Sequence, residues 1–556
     1  LTNIIIHKPY MDHQKIISYL KESKIGISLL NPKIERYKNA IPLKVIEYLQ
    51  AGLPIVANDF KILQDFVVNK HNGYRVTYNS KNLAVALENL LNLNTKDYHR
   101  MAQNSFKISK KYTWNQEKRN LNEFIYNLLH NNKKILFLAY FYPPLGGPAV
   151  QRPCKFIHYL RKKGILSDVI TVEDIIYHSY DEKLQNECEE NNCYPVVSLD
   201  PMRLLKKTVK DSDKKSEKIY FKTPEKFKRI IRGLFPIDDK IGWLPFAFLK
   251  SAKLLIKNNY LAIMATMGPY TSGVTAYLLS KIFGKPLILD YRDHWSLNRY
   301  PRYSLKVLKI ISHFIEKRMV HHAKLITIVG AVMKNELANE FNIDENKILT
   351  MYNGWDEKDF SNLKILPKTS DNYLISYIGN FYGNRTIIYF IKALKQLVRE
   401  NKIPNKVKFR FIGNYFSGTL KLLNSEILKP FIEVKNQVDH KKALEYLVNS
   451  DALLLFIASK NGKGFLTGKL FEYIRSQKPI LAMIPEDGEA EEILRNSKNN
   501  YITQMENTDG IKEQIIGLIN DLKNEKTPKI GFDDEFSREK QTEKFINEFE
   551  NIIKDE

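Results

Sequence analysis

Short apolar runs alternate with amphipathic stretches along most of the 556 residues. "ILFLAY" (135–140), "LAIMATM" (261–267), "LITIVG" (325–330), "LISYIG" (374–379) and "ALLLFIA" (452–458) each have the length of a buried strand. Loops carrying Gly, Pro or polar residues follow them, and then apolar positions at helical spacing. The alternation predicts parallel sheets covered by helices on both faces. No apolar run reaches the roughly 18 residues that suggest a membrane span.

The pattern also repeats itself. "DHQKIISYLKES" (12–23) and "DHKKALEYLVNS" (439–450) share Asp, His, Lys, Tyr, Leu and Ser at an offset of 427. "PLKVIEYLQAGLPIVA" (42–57) and "TGKLFEYIRSQKPILA" (467–482) share Lys, Glu, Tyr, Pro, Ile and Ala at an offset of 425. A change of two in the offset corresponds to one loop indel, so the stretches read as an internal repeat. Each copy closes on an amphipathic helix, "YTWNQEKRNLNEFIYNLL" (112–129) and "FSREKQTEKFINEFENII" (536–553).

Between the copies, "NNKKILFLAY" (131–140) opens a fresh α/β unit. The expected organisation is a partial lobe over 1–130, then a complete unit with lobes at 132–360 and 361–535. A terminal helix over 536–556 is expected to cross back to the first of these. The first copy corresponds only to residues from about 428 onward, so it reads as truncated, and a chain that starts at Leu1 reads as a piece of something longer.

Composition changes this picture in two places. A formal net charge of +24 points to anionic partners. Twelve Lys and Arg against four Asp and Glu crowd residues 203–232, and Phe, Ile and Trp243 join them up to 256. That mixture suits an anionic membrane surface through 203–256 and a cytoplasmic chain peripheral to the inner face; a solvated insertion reads equally well. No helix-turn-helix or zinc signature supports a nucleic-acid partner. Three cysteines (Cys154, Cys188, Cys193) without metal-ligand spacing predict free thiols in a reducing compartment.

Candidate chemistry gathers where strands end. Gly146 and Gly147 let the backbone turn sharply before a helix start, where unpaired N–H groups suit an anion, although an ordinary βα turn looks the same. "LDYRDHW" (289–295) sets Asp290, Arg292, Asp293 and His294 just past a strand's carboxyl end, the edge at which open parallel sheets bind ligands. An Asp–Arg pair bracing the loop is the alternative. Asn353 and Gly354 form a turn signal at the expected hinge. In the second lobe Gly379 ends a strand and Arg385 lies near the next helix start, suited to phosphate oxygens. Thr467 and Gly468 precede a helix whose first turn holds Lys469, with Glu472 one turn on, able to accept from a ribose diol. "TGK" lacks the rest of a P-loop, so an ATPase is rejected.

Taken together, "YFYPPLGGPAVQR", "LDYRDHW", "YNGWDEKDF", "YIGNFYGNR" and "TGKLFEYIRSQKPILA" resemble the family 4 glycosyltransferases, retaining nucleotide-sugar enzymes of the GT-B fold. The resemblance implies two Rossmann-like lobes facing a cleft, here preceded by an extra partial Rossmann-like lobe, with donor in the second lobe and acceptor in the first. It gives Glu472 the ribose, Arg385 the diphosphate, and Gly146–Gly147 a place near the donor phosphates. It implies a surface-glycan or lipid-linked acceptor; the family's catalytic-lobe His is not cleanly matched, so catalysis is expected at Asp290, Arg292, Asp293 and His294 by their neighbourhood, and with no Asp-x-Asp signal in a cleft position no cofactor or metal is demanded. Where that family has a second glutamate eight residues before Glu472, this chain has Gly464, and the first copy has Asn39 eight before Glu47. A nonhydrolysing nucleotide-sugar epimerase and an inactive binding scaffold are the alternatives. The first copy, with Lys44 and Glu47 but no acceptor lobe, is expected to be inert.

Overall fold

The structure is a computed structural model. It describes residues 12–554 except 115–116, 119–120, 122–132, 174, 176, 178–179, 189–191, 200–232, 234, 299–302, 362, 368–370, 382–384, 460–461, 500, 529 and 532–533. Most of the basic stretch 203–256, up to Arg232, therefore lies outside the described residues. The chain divides into two compact units, 1–126 and 127–556.

The first unit holds a parallel sheet in the order β1-β2-β3: β1 (Gly26–Ser28), β2 (Ile55–Asn58) and β3 (Gly73–Val76). Around it lie α1 (His13–Glu22), α2 (Leu43–Gln50), α3 (Ser80–Leu91) and α4 (Thr95–Ser109). Helix α2 buries Val45 and Leu49, four apart on one face, against β2, which is buried along its whole length.

The second unit contains two sheets. The first is seven-stranded and wholly parallel, in the order β10-β9-β8-β7-β4-β5-β6. Its strands are β4 (Lys134–Leu138), β5 (Leu166–Val172), β6 (Asn192–Val196), β7 (Ala262–Met267), β8 (Leu287–Tyr291), β9 (Leu325–Ile328) and β10 (Ile348–Thr350). The helices α5 (Pro148–Lys162), α6 (Glu182–Cys188), α7 (Leu244–Lys257), α8 (Thr271–Phe283), α9 (Lys306–His322) and α10 (Ala331–Phe341) connect them. β5, β7, β8 and β9 are buried throughout, as continuous Val/Ile/Leu/Met runs require when helices cover both faces. Because such crossovers are right-handed, α5 lies on one face and α8, α9 and α10, which run the other way along the sheet, lie on the opposite face.

The second sheet has the order β13-β12-β11-β14-β15-β16, again all parallel. It comprises β11 (Tyr373–Ile378), β12 (Val407–Ile412), β13 (Ile432–Lys435), β14 (Ala452–Phe456), β15 (Ile480–Met483) and β16 (Ile502–Thr503). A four-residue helix at the hinge, α11 (Glu357–Phe360), precedes α12 (Ile388–Arg399), α13 (His440–Val448), α14 (Gly468–Ser476), α15 (Glu489–Asn496) and α16 (Thr508–Lys523). The last helix, α17 (Arg538–Lys554), returns to the first lobe, where Phe545 stacks edge-on against Phe156 of α5 and joins that lobe's core with Phe549.

The register of the first unit follows the sequence echo. Gly26 pairs with Ile55, as Leu453 pairs with Ile480; Ala57 pairs with Arg75, as Ala482 pairs with Ile502. These equivalences use offsets of 427, 425 and 427, so β1-β2-β3 matches β14-β15-β16 residue for residue.

One expectation is overturned. Cys154 of α5 and Cys188 of α6 are joined by a disulfide, with Cα atoms 6.3 Å apart and both residues buried. A separation of 34 residues gives no sequence signal, because only the packing of α6 on α5 brings the two together. Cys193 is exposed and takes no part.

Candidate functional site

Each sheet of the second unit reverses its strand order once, between β4 and β7 and between β11 and β14. Loops leaving the carboxyl ends of strands splay apart at such a reversal and form a crevice, which is where ligands bind in open α/β sheets. The glycine loops and Thr467 all lie there. Gly146 and Gly147 follow β4, Gly379 follows β11, and Thr467 ends the loop after β14.

In the second lobe the geometry is specific. Gly379 has φ +140°, and a Cβ there would overlap Lys469 Nζ, so glycine lets the lysine lie against the backbone at the end of β11. Thr467 caps α14, its Oγ1 accepting from the Leu470 amide at 3.3 Å. That capping directs the first turn, and Lys469 with it, at Gly379. The ammonium also lies 4.8 Å from the centre of the Tyr377 ring. Arg385 is buried, 8% exposed, with its guanidinium 5.9 Å from the Phe465 ring centre. Burial, and then the Arg385 charge, bring the Lys469 pKa down to about 7, although Glu472 opposes them. Two basic side chains and a helix N-terminus lie close together, an arrangement suited to a polyanion.

Glu472 accepts a hydrogen bond from His440 Nε2 of α13 at 2.9 Å. Burial favours the neutral acid, yet the His440 hydrogen bond and charge, with help from Arg538 and Lys469, hold the carboxyl below its usual range. Burial likewise opposes a charged His440, but Glu472 outweighs it and raises the pKa.

The Asp290–His294 run does not converge. Asp290 is 4% exposed and forms a bidentate pair with Arg152 of α5, Nη2 to Oδ1 at 2.7 Å and Nε to Oδ2 at 3.1 Å. It also accepts from Thr327 (2.8 Å) and Thr266 (3.2 Å). Burial would raise its pKa, and Arg152 more than offsets that. Arg152 continues to the Met351 carbonyl (3.1 Å) and Asn353 Oδ1 (3.3 Å), so the pair braces β8 against the hinge. Arg292 donates to the Ala149 carbonyl at 3.1 Å, holding the start of α5 just after Gly147, whose φ is +91°. Asp293 is exposed, and His294, 8% exposed, pairs with Glu336 of α10 at 2.8 Å.

At the hinge, Gly354 has φ +57°, and a Cβ would overlap the Phe536 carbonyl. The crossing segment binds here: Trp355 N donates to Phe536 O at 3.3 Å, and Arg538 N to Trp355 O at 2.8 Å. Lys155 of α5 meets Asp356 at 2.7 Å and Asp359 at 3.3 Å, adding charged contacts across the hinge. A cavity of about 540 Å³ adjoins it, lined by Trp355, Glu357, Arg475 and the start of α17, and none of the predicted site residues lines it.

Three functional candidates were given no role on sequence. His440 belongs to an Asp-His pair that both copies share, which was the available signal. Arg538 stands where the first copy has Trp114; its Nη1 reaches the Gln151 carbonyl (3.2 Å), its Nε is buried without a hydrogen-bond partner, and its charge faces Asp356, Asp359 and Glu472. Glu489 of α15 bridges the lobes, accepting from Ala331 N (2.5 Å) and Val332 N (3.2 Å) at the start of α10. Beside it, a Cβ on Gly464 would stand 2.8 Å from Val332 Cγ1, so glycine permits this close approach. No sequence spacing pairs residues 158 apart. Among the described residues no group of three or more His, Cys, Asp or Glu is arranged to hold a metal ion, and no helix is long and apolar enough to cross a membrane.

Two facing parallel-sheet lobes, with their loops meeting at the strand-order reversals, define the GT-B class. The chain is a glycosyltransferase of that class: the Glycosyltransferase Family 4 pattern matches residues 207–359, and Glycosyl transferases group 1 patterns match 372–521 and 1–108. No curated protein matches it in sequence. Among solved structures, a glycosyltransferase from Rickettsia africae ESF-5 is similar over 77% of this chain and 100% of its own, at 13% identity and a TM-score of 0.51. That likeness speaks for the fold alone. Anabaena HepE in complex with UDP (14% identity, 76% of this chain and 98% of its own, TM-score 0.46) also matches. So does the lipopolysaccharide outer core galactosyltransferase WaaB (14%, 75% and 99%, 0.46).

Proposed function

We propose that the chain transfers a sugar from a nucleotide-diphosphate sugar, held by the second lobe, to a glycan or lipid-linked acceptor held by the first. The transfer retains configuration and serves surface polysaccharide or lipopolysaccharide synthesis. The observation that carries the reading is the convergence of Gly379, Arg385, Lys469 and the α14 N-terminus, with Glu472 one turn further on. Cleaving the bond between the anomeric carbon and the phosphate oxygen leaves negative charge on the diphosphate. Arg385, Lys469 and the helix-start amides stand where that charge develops, and each such donor is worth about 3 kcal/mol in the transition state. The acceptor oxygen bonds to the anomeric carbon, releasing nucleoside diphosphate and a proton. Glu472 accepts from the ribose diol, kept ionised by His440. The reading calls on no metal.

Residues 12–114 are read as a partial second donor lobe, supported by the shared strand register, and as inert. A nucleotide-sugar donor drawn from the cytoplasm would put the chain at the inner face of the membrane.

The test is thermal stabilisation of the full chain by a panel of nucleotide sugars. A donor at 100 times its dissociation constant adds about 2.7 kcal/mol. Glu472→Ala should abolish the shift produced by the matching donor, and an unchanged shift places the donor elsewhere. Turnover of donor with no acceptor present would favour the epimerase reading.

A further inference from the structure

Helix α9 connects β8 to β9 and faces the core through Ser312, Glu316, Met319 and Val320. Its opposite side is also apolar. Val307, Ile310, Ile311 and Phe314 recur at i, i+3, i+4 and i+7, which places them in one stripe. They are 54, 67, 39 and 53% exposed, and Leu305, just before the helix, is 57% exposed. Lys306, Lys317 and Arg318 are exposed around the stripe, and the Arg318 guanidinium lies 4.3 Å from the Phe314 ring centre. The acid within α9, Glu316, is turned inward, where it binds Tyr291 and the Ser296 amide. Glu340 of α10 lies at the flank, 3.8 Å from His313.

A helix that buries one side and exposes a second apolar side rimmed by cations is out of keeping with a surface that meets only water. The helices beside it also expose apolar side chains. α7 and α8 pack in a row with α9 on the same face of the sheet and expose Leu249 (64%), Ile256 (76%) and Ile282 (64%). Lys250, Lys253, Lys257 and Lys281 belong to the same two helices. In addition, the carbonyl of Gly233, the residue after the basic run 203–232, accepts from Ser304 N at 2.9 Å, two residues before α9 begins.

We infer that the α9 stripe is a docking surface for an anionic phospholipid bilayer. The side chains of Val307, Ile310, Ile311 and Phe314 enter the boundary between headgroups and acyl chains, and the three cations around them meet lipid phosphates. The choice of a bilayer rests on this charge complementarity: an apolar centre within a cationic rim matches an interface that is apolar below and anionic above. The inference rests on the lipid-linked half of the acceptor reading, since it would hold the acceptor lobe against the surface that carries such an acceptor.

The experiment is co-sedimentation of the full chain with vesicles of phosphatidylcholine containing phosphatidylglycerol, and with phosphatidylcholine alone. The parent is expected to bind the anionic vesicles. Ile310→Glu/Phe314→Glu should lower the partition coefficient by at least about tenfold, because two buried apolar side chains are replaced by charges. Lys306→Gln/Lys317→Gln/Arg318→Gln should lower it at low salt and change it little at high salt. Thermal stabilisation by a nucleotide sugar is measured on the same samples, so loss of vesicle binding with the donor shift intact reads the surface rather than the fold. Failure of the donor shift alone would count against the transfer reading and leave the docking surface standing. Absence of binding by the parent, or equal binding by Ile310→Glu/Phe314→Glu, overturns the inference. So does self-association of the parent that this variant abolishes without any vesicle binding, which would make the stripe an interface between two copies.

Discussion

Residues 42–57 and 467–482 fold alike, strand for strand and register for register, yet among the described residues only the second meets the glycine loop of a further strand. Lys469 lies against Gly379, over the Tyr377 ring and beside Arg385. Lys44, its counterpart, comes from the same first turn of an equivalent helix, but the described part of its unit contains no strand equivalent to β11 and so no glycine loop to meet. Tyr473, on the same helix as Lys469, is 1% exposed and accepts from the Ile378 amide of β11. Tyr48 is half-buried and turns back to the Ile27 carbonyl of its own sheet. The helix carries the residues in both places; the neighbouring strand across the order reversal makes them a site.

The largest effect should come from the framework that the complete unit has and the first unit lacks. Asp290→Ala leaves the Arg152 guanidinium buried without its carboxylate, and losing one partner of a buried pair costs about 3–5 kcal/mol. Thermal unfolding should show that loss in full. If Asp290→Ala instead kept the parent's stability and lost only turnover, Asp290 would be a reacting group and not a brace.

Next come the cations of the site. Lys469→Ala or Arg385→Ala should each lower kcat/KM for transfer by about 100-fold, corresponding to roughly 3 kcal/mol of leaving-group stabilisation. Neither change should lower stability, and Lys469→Ala should raise it at neutral pH, because burial disfavours the lysine's charge. A loss confined to KM, with kcat unchanged, would mean that they hold the donor without aiding departure.

How far these distinctions were legible follows from sequence distance. The repeat shows as a nearly constant offset, and the Lys-x-x-Glu helix and the glycine turns after strands are local patterns, so spacing alone placed them on their elements. Arg152 and Asp290 are 138 residues apart, and Glu489 reaches an amide 158 residues away, so neither partner implies the other before the sheets are assembled. The Asp-x-Arg-Asp-His run, adjacent in sequence, is divided among separate partners for a related reason. Adjacency along a chain that is leaving a strand sends successive side chains in different directions, here toward Arg152, the Ala149 carbonyl, solvent and Glu336. Arg538 had a weak signal in the echo, where the first copy carries Trp114. Only the return of α17 across the hinge gives that difference a meaning.

A smaller effect should appear with pH. Because Lys469 titrates near 7 in the folded chain and near 10.4 when unfolded, the folded chain binds fewer protons between those values, and stability from this group rises with pH across that range. Donor binding runs the other way. The diphosphate restores the lysine's proton, so binding takes up a proton above about pH 7 and affinity falls by up to about tenfold per pH unit there. Lys469→Arg keeps the charge and should flatten that limb in a titration of donor affinity against pH. An alkaline limb that persists in Lys469→Arg assigns it to another group, and His440, whose pKa is raised by Glu472, is the first to examine.

The smallest expected effect is none, and it bears most directly on the comparison. Lys44→Ala and Glu47→Ala copy, in the first unit, the changes that should disable the second lobe. Helix α2 keeps its core through Val45 and Leu49, so neither substitution touches the packing of that unit. Donor affinity and transfer rate of the full chain should equal the parent's, within a surface substitution's usual few tenths of a kcal/mol in stability. A measurable loss of donor binding in either variant would mean that the first unit holds nucleotide sugar without a strand of its own across the order reversal. The rule drawn from Tyr48 and Tyr473, that the neighbouring strand makes the site, would then be wrong for this chain.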